Sequence, residues 1–209
     1  MAKVSVGPAP EERPGSWLSM ASTSRRIPGD PGVWVLIFGD LLVFAAFFLS
    51  FVLARSDAPQ MFAAGHAQLN RSIGLLGSVL LITSSLLVAI GVHRMREQRA
   101  GSRNVFGIAI VLGAAFVVCK LVEYSTKVRR GITPLTNEFF TYYFALTGIH
   151  LVHVLLGLGV LVLMRAASRT PPPPQRLLLI ESGGLLWHLI DLLWIVLFAL
   201  FYLLGGERG

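Results

Sequence analysis

The chain has 209 residues, of which 54% are hydrophobic and only 14% are charged, and its mean hydropathy is +0.68. This composition cannot supply the polar surface that a water-soluble domain needs, so a membrane protein is predicted. The formal net charge of +7 would suggest nucleic-acid binding in a soluble protein. In a membrane protein the basic residues instead sort the loops, and no nucleic-acid partner is expected.

Five long apolar runs are predicted to cross the membrane as α-helices. Each is long enough, at about 1.5 Å per residue, to span a hydrocarbon core of about 30 Å. The predicted fold class is therefore all-α, an integral membrane bundle of five transmembrane helices. The spans run from Val33 to Ala54, Ile73 to Val92, Val105 to Tyr124, Phe139 to Met164 and Leu177 to Leu204.

The segment before the first span has a different composition. It mixes Pro, Gly, Ser and charged residues with almost no apolar periodicity, which is typical of disordered chain. We predict a disordered cytoplasmic tail over residues 1–27 and one membrane domain over residues 28–209.

The basic residues are divided unequally between the two sides of the predicted bundle. Of the eighteen, eleven lie in the N-terminal segment and in the second and fourth loops, whereas six lie in the first and third loops and the C-terminal segment. By the positive-inside rule the N-terminus is cytoplasmic and the C-terminus lies outside. The remaining one, Lys120, lies one turn inside the third span, and we expect its side chain to extend to the outer surface.

Ionisable residues occur inside the last two spans. They are costly in a bilayer and usually serve a pathway, a cofactor or a helix contact. At about 100° per residue, each span gathers its polar groups on one face. The face of the fourth span holds Tyr143, Thr147, His150, His153 and Gly157, and that of the fifth holds Glu181, His188, Asp191 and Tyr202.

Depth along the helices brings some of these groups to a common level. Counted from the cytoplasmic ends at about 1.5 Å per residue, Asp40 lies roughly 11 Å deep and His188 roughly 17 Å deep. His153 and Asp191 lie roughly 17 to 21 Å deep on the same count. We therefore expect His153, His188 and Asp191 to meet.

Two kinds of helix contact are also expected. Glu123, at the outer end of the third span, is expected to pair with Lys120, three residues before it. Small residues let helix backbones approach closely, as Gly157 does on the fourth span. The second span has a whole face of them, formed by Gly74, Ser78, Ser85 and Ala89.

From the residues alone, three roles for the histidines stay open. A haem or metal site is one, because His150 and His153 are one turn apart. A proton or ion path is the second, through Asp40, His153, His188 and Asp191. The third role is structural, with hydrogen bonds that fix the register of the helices, and the pattern favours it because no Glu-x-x-His motif occurs on two helices.

Two motifs carry a resemblance to a known family. The strings Thr147-Gly148-x-His150-x-x-His153 and Trp187-His188-x-x-Asp191 resemble the C-terminal signature helices of subunit III of the haem-copper oxidases. The resemblance covers about Pro28 to Tyr202. Five spans rather than seven are similar to the short bacterial form of this subunit.

Further strings refine the resemblance. Gly131-Ile132-Thr133 and Thr136-Asn137 look closest to the short subunit-III-like proteins associated with nitric oxide reductase. Asp40 stands where the family more often has Glu, and its shorter side chain weakens any role in proton exchange.

The resemblance implies a multi-pass subunit of the bacterial cytoplasmic membrane that has no redox centre of its own. Haem and copper would lie in the partner subunits I and II. The chain would support assembly, proton uptake and turnover stability of subunit I in a terminal oxidase, and would bind phospholipid. The alternatives are an accessory subunit of nitric oxide reductase and, from another class, a self-contained membrane haem or metal redox protein. By this resemblance the structural or proton-exchange residues are Asp40, Glu123, His150, His153, Glu181, His188 and Asp191.

The predicted orientation can be measured with reporter fusions. A fluorescent protein that matures only in the cytoplasm is expected to fluoresce at the N-terminus, and alkaline phosphatase is expected to be active after residue 209. The reverse pattern would show that the charge asymmetry does not set the topology.

Overall fold

The structure, a computed structural model, describes residues 29–168 and 173–204. The predicted tail over residues 1–27 lies outside the described residues. Within the described ranges every regular element is helical. The elements are α1 (Pro31–Asp57), α2 (Pro59–Ala67), α3 (Arg71–Arg96), α4 (Ser102–Arg129), α5 (Glu138–Ala167), α6 (Pro174–Phe198) and a π-helical turn (Ala199–Leu203).

Five of these helices are long and apolar enough to cross a membrane, which confirms the predicted fold class. They have 26 to 30 residues each and extend beyond most of the predicted boundaries. The second span, for example, was predicted over residues 73–92, but α3 runs from Arg71 to Arg96. The reason is that hydropathy marks the hydrocarbon core, whereas the helices continue into the headgroup region where charged residues are tolerated.

Side-chain caps fix where three of the transmembrane helices begin. The Asp30 carboxylate accepts a hydrogen bond of 2.7 Å from the Gly32 amide at the start of α1. Asn70 accepts from the Ser72 amide at the start of α3, at 3.0 Å. Asn137 does the same for α5. Each cap satisfies an amide that has no partner within its helix.

Four helices form the core of the bundle. α3 and α5 each pack against both α4 and α6, so that α3, α4, α5 and α6 form a closed ring. α1 lies at the edge and contacts only α2, α5 and α6 among the stronger contacts of the described residues. Its buried residues are Ile37, Phe44 and Phe51, spaced by seven, so α1 touches the bundle along one narrow seam.

Contacts between helix ends define two levels of the bundle. At the N-terminal end the Asp30 amide donates to Ser182 Oγ at 2.9 Å, where α1 and α6 begin. At the far end Arg55 Nη2 donates to the Leu204 carbonyl at 2.8 Å. Consecutive transmembrane helices therefore run in opposite directions. Which end is cytoplasmic stays a prediction from the loop charges.

The short helix α2 is an element that the hydropathy pattern did not predict. It has nine residues and lies at the far end, where Phe62 and His66 are buried. His66 Nδ1 donates to the Phe201 carbonyl at 2.7 Å, within the π-helical turn. Burial lowers the pKa of His66. The ring is therefore a neutral donor that ties α2 to the last turn of the chain.

Trp187 of α6 is the centre of the close packing between helices. Its indole lies directly over Gly113 of α4 and Gly157 of α5, where an added Cβ would come within 3 Å of the ring. The second indole of this face, Trp194, donates from Nε1 to Ser78 Oγ of α3 at 3.1 Å. On the same side of α3, Gly74 lies against Tyr202. Small residues on three helices thus accommodate the large aromatic side chains of α6.

Gly157→Leu is expected to lower the free energy of unfolding by about 1 to 3 kcal/mol, because there is no space for the added atoms. A Cβ at this position would lie 2.7 Å from Ile190 Cδ1 and 2.8 Å from Trp187 Cε3. Thermal unfolding in detergent, followed by helical circular dichroism, measures the loss. Gly159→Leu is the control, since a Cβ there meets nothing within 4 Å. Equal losses would contradict the packing account.

Candidate functional site: buried polar clusters

The predicted site residues separate into distinct groups rather than one site. We name them the far-end cluster (Lys120, Glu123, Tyr143 and Tyr202), the α1–α5 pair (Asp40 and His153) and the α3–α6 pair (Ser85 and His188). His150 and Glu181 lie outside these groups, and Asp191 adjoins the α3–α6 pair through a hydrogen bond to Ser85. The three groups differ in depth, exposure and hydrogen bonding.

The far-end cluster is a buried ion pair enclosed by tyrosines. Lys120 Nζ lies 2.8 Å from Glu123 Oε2, and the two residues are 2% and 3% exposed. Lys120 also donates to the hydroxyls of Tyr143 and Tyr202, at 3.1 and 3.3 Å. Tyr202 in turn donates to the Glu123 carboxylate at 2.8 Å. Every charge of the pair is therefore hydrogen-bonded to more than one group.

Aromatic faces complete the environment of Lys120. Its ammonium lies 5.1 Å from the ring centroids of both Tyr143 and Trp194, and 5.3 Å from that of Tyr124. Such cation–π contacts stabilise a desolvated cation by about 2 kcal/mol. The expectation that Lys120 extends to the surface is therefore wrong. Its side chain points into the bundle because an acid and several rings replace its hydration there.

A second lysine belongs to the same environment, and the sequence pattern did not single it out. Lys127 is 5% exposed, donates to the Gln68 carbonyl at 3.3 Å and lies 5.2 Å from the Tyr143 ring centroid. It follows Lys120 by seven residues, two helical turns along the same face of α4. If the side chain of Lys120 points into the bundle, that of Lys127 is expected to do so as well. The seven-residue spacing is the sequence signal that would have identified Lys127.

The α1–α5 pair connects the edge helix to the bundle. His153 Nε2 lies 3.2 Å from Asp40 Oδ1, and both side chains are partly exposed. His153 Nδ1 lies 2.8 Å from the Ile149 carbonyl oxygen, which can only accept, so Nδ1 carries a proton. The contact between Nε2 and Oδ1 then requires one further proton, held on either residue. Asp40 reaches its partner even though it is shorter than the usual Glu.

The α3–α6 pair holds His188 on the other side of the bundle. Ser85 Oγ lies 2.6 Å from His188 Nδ1. His153 therefore does not join His188 and Asp191 but contacts Asp40 instead. Asp191 also hydrogen-bonds Ser85, so Ser85 links His188 and Asp191. Depth placed these residues at similar levels, but depth does not specify the direction of each side chain around its helix. Asp191 is 8% exposed, and its Oδ1 has no hydrogen-bond partner in the described part of the chain.

His150 occupies an aromatic site in the core. It is 0% exposed, and neither ring nitrogen has a hydrogen-bond partner among the described residues. The ring centroids of Trp194 and Phe116 lie 5.4 and 5.9 Å away. Within residues 29–168 and 173–204, no three His, Cys, Asp or Glu residues are arranged so as to hold a metal ion. His150 is thus packed between rings rather than placed among further donors.

Glu181 has a different setting at the N-terminal end. Its Oε1 lies 2.7 Å from Arg96 Nε, which joins the start of α6 to the end of α3. The pair is partly exposed, so solvent screens it and it contributes little to stability.

Comparison with known proteins identifies the family of this chain. Residues 29–206 match the family model described as cytochrome c oxidase subunit III. The chain belongs to this family. The match covers all five transmembrane helices and confirms the resemblance seen in the histidine motifs. Within the family, the chain is a subunit III of a haem-copper terminal oxidase.

Relatives with different electron donors in their names align over most of the chain. Cytochrome c oxidase subunit 3 of Synechocystis sp. is 32% identical over 176 residues, which cover 83% of this chain and 74% of the relative. Quinol oxidase subunit 3 of Bacillus subtilis is 28% identical over 180 residues, with coverages of 83% and 86%. Cytochrome bo(3) ubiquinol oxidase subunit 3 of Pseudomonas putida is 27% identical over 177 residues, with coverages of 83% and 84%. All three are oxidase subunits by name, and none of them supports the nitric oxide reductase alternative.

Removing either partner of the buried ion pair is expected to be costly. Lys120→Met leaves Glu123 charged and unpaired, and Glu123→Gln does the same to Lys120, so each should destabilise by about 3 to 5 kcal/mol. The double variant Lys120→Met/Glu123→Gln should lose less than the sum, because no buried charge remains. Unfolding in detergent measures all three.

An exposed ion pair of the same chain provides the control. His93 Nε2 lies 3.2 Å from Glu97 Oε1, with side chains 66% and 36% exposed. His93→Ala should change stability by no more than about 0.5 kcal/mol. Strictly additive losses at Lys120 and Glu123 would contradict the account of a coupled buried pair.

Proposed function

We propose that the chain is a non-catalytic subunit that packs against subunit I of its complex and supports assembly, proton uptake and turnover stability there. The observation that carries the proposal is the edge position of α1. One seam of α1 holds it to the bundle, while its outward residues are apolar and exposed, such as Phe38 at 64% and Leu42 at 74%. A face of this kind in a membrane needs lipid or another transmembrane helix against it.

Subunit I is the partner that the family membership supports for this surface, with phospholipid filling the remaining contacts. In an oxidase, subunit II would complete the assembly. Haem and copper would then belong to these partners. The ionisable residues of this chain are engaged with one another, with backbone carbonyls and with aromatic rings, which supports a structural role for them.

Asp40 has two candidate roles at this edge. As an anchor, it holds α1 to α5 through His153, about one turn from the buried Phe44. As a proton donor, it uses the single proton that the α1–α5 pair holds between Nε2 and Oδ1 at 3.2 Å. We favour the anchor, because that contact joins two helices whose separation would expose the seam at Phe44.

Two substitutions at Asp40 separate these roles in the assembled complex. Asp40→Asn keeps a hydrogen-bonding group but cannot exchange a proton, whereas Asp40→Leu removes both functions. If Asp40 is an anchor, the Asn variant should assemble and turn over normally, and the Leu variant should lose subunit I during purification. Turnover rate, inactivation during turnover and subunit content are the measurements.

The contrary result is equally specific. An Asn variant that assembles fully but turns over more slowly, or inactivates faster, would assign the proton role to Asp40. Ser50→Ala is the control on the same helix, because it removes an exposed hydrogen bond of 2.7 Å to Tyr142 without removing a carboxylate.

The alternative of another class, a self-contained haem or metal redox protein, is tested on the purified chain. We expect no stoichiometric haem, copper or iron. A Soret band, or one metal equivalent that disappears in His150→Leu, would overturn the proposed function. Identification of the copurifying subunit I distinguishes an oxidase from a nitric oxide reductase.

A further inference from the structure

A cavity of about 200 Å³ opens between α3 and α6 at the N-terminal end of the bundle. Its wall includes Ala89, His93 and Arg96 of α3 and Glu181 and His188 of α6. The proposed function uses none of these residues directly. The cavity therefore raises the question of what occupies it when the protein is in a membrane.

Polar groups follow one another from the mouth of the cavity to its floor. At the mouth, Arg96 Nε lies 2.7 Å from Glu181 Oε1. His188 follows Glu181 by seven residues, which places it about 10 Å deeper along α6. At that depth Ser85 Oγ binds His188 Nδ1 at 2.6 Å. One turn deeper still, beyond the residues that line the cavity, Asp191 hydrogen-bonds the same Ser85.

We propose that this cavity is a water-filled inlet that connects solvent at the N-terminal end to His188. Ordered water requires room and two to four hydrogen-bonding partners. The cavity has the room, and Arg96, Glu181 and His188 are the partners, in a wall that Val92, Gly184 and Leu185 otherwise make apolar. His188 exchanges protons with this side of the membrane through the inlet. The route is separate from the α1–α5 pair, which lies between other helices.

The chemistry of the wall favours water over lipid. Arg96 and Glu181 neutralise each other at the mouth, so neither of these two residues offers an unbalanced charge to an anionic headgroup. With Nδ1 bound to Ser85, the second ring nitrogen of His188 is a polar group that an acyl chain cannot satisfy. Water can bind both the ion pair and the imidazole.

Single cysteines test whether the inlet holds water. In a Cys119→Ser background, Ala89→Cys introduces a thiol into the wall about 10 Å from the end of α3. Ile108→Cys is matched in depth, about 9 Å into α4, and like Ala89 it is exposed, but it does not line the cavity. A charged methanethiosulfonate reagent reacts with thiolates, which form in water rather than in lipid. The full chain in lipid vesicles should react at residue 89 at least about tenfold faster than at residue 108.

Histidine modification tests whether the inlet reaches His188. Diethyl pyrocarbonate should modify His188 in the full chain but not His150, which is fully buried between rings. Ala89→Trp fills the wall and should slow the modification of His188, while Ile108→Trp should not. Equal cysteine rates at residues 89 and 108 would overturn the proposal and indicate lipid in the groove. Modification of His188 no faster than that of His150, in a chain whose residue 89 reacts, would overturn the link to His188.

Discussion

An ionised side chain inside a bilayer has to exchange its hydration for protein partners, and the far-end cluster does so for Lys120. Glu123 supplies the opposite charge, two tyrosine hydroxyls supply further hydrogen bonds, and aromatic rings cover the remaining directions. These partners come from α4, α5 and the last turn of the chain. Because Lys120 would be costly to bury without these partners, α4, α5 and the last turn are held together at the far end.

The rest of the bundle is organised around the large aromatic residues of α6. Trp187 and Trp194 enter spaces that glycine or serine leaves open on the neighbouring helices. In lipid there is no hydrophobic force between helices, so close contact and hydrogen bonds hold them together. α1 lacks such contacts over most of its surface. Polar contacts at Asp30, Asp40, Ser50 and Arg55 hold it instead, at intervals along its length. This difference makes α1 the part of the bundle that is most dependent on a partner.

Much of the fold was predictable from the sequence, because the length and hydropathy of each span are set by the thickness of the bilayer. The class, the number of spans and the family all followed from such local patterns. α2 was missed, since nine residues at an interface leave no long apolar run. The pairing of Glu123 with Lys120 was expected from their spacing on one helix, but the direction of Lys120 was wrong. That direction depends on Tyr143 and Tyr202, which come from distant parts of the chain.

The same limit explains the histidines. The sequence predicts on which face of its helix a residue lies and how deep it lies in the membrane. How each helix is rotated relative to its neighbours is set by packing between helices, which these patterns do not specify. His153 therefore meets Asp40 rather than Asp191, whereas His188 is linked to Asp191 through Ser85.

The π-helical turn at Ala199–Leu203 has a consequence for how the end of the chain tolerates change. A π-helix has more residues per turn than an α-helix. Residues beyond Phe198 therefore face different directions from those that a continued α-helix would give them. Tyr202 reaches Glu123, and the Phe201 carbonyl faces His66, in this altered phase. Loss of one residue here would leave composition and hydropathy nearly untouched but would turn both groups away from their partners. The last turn is thus sensitive to length as well as to residue type.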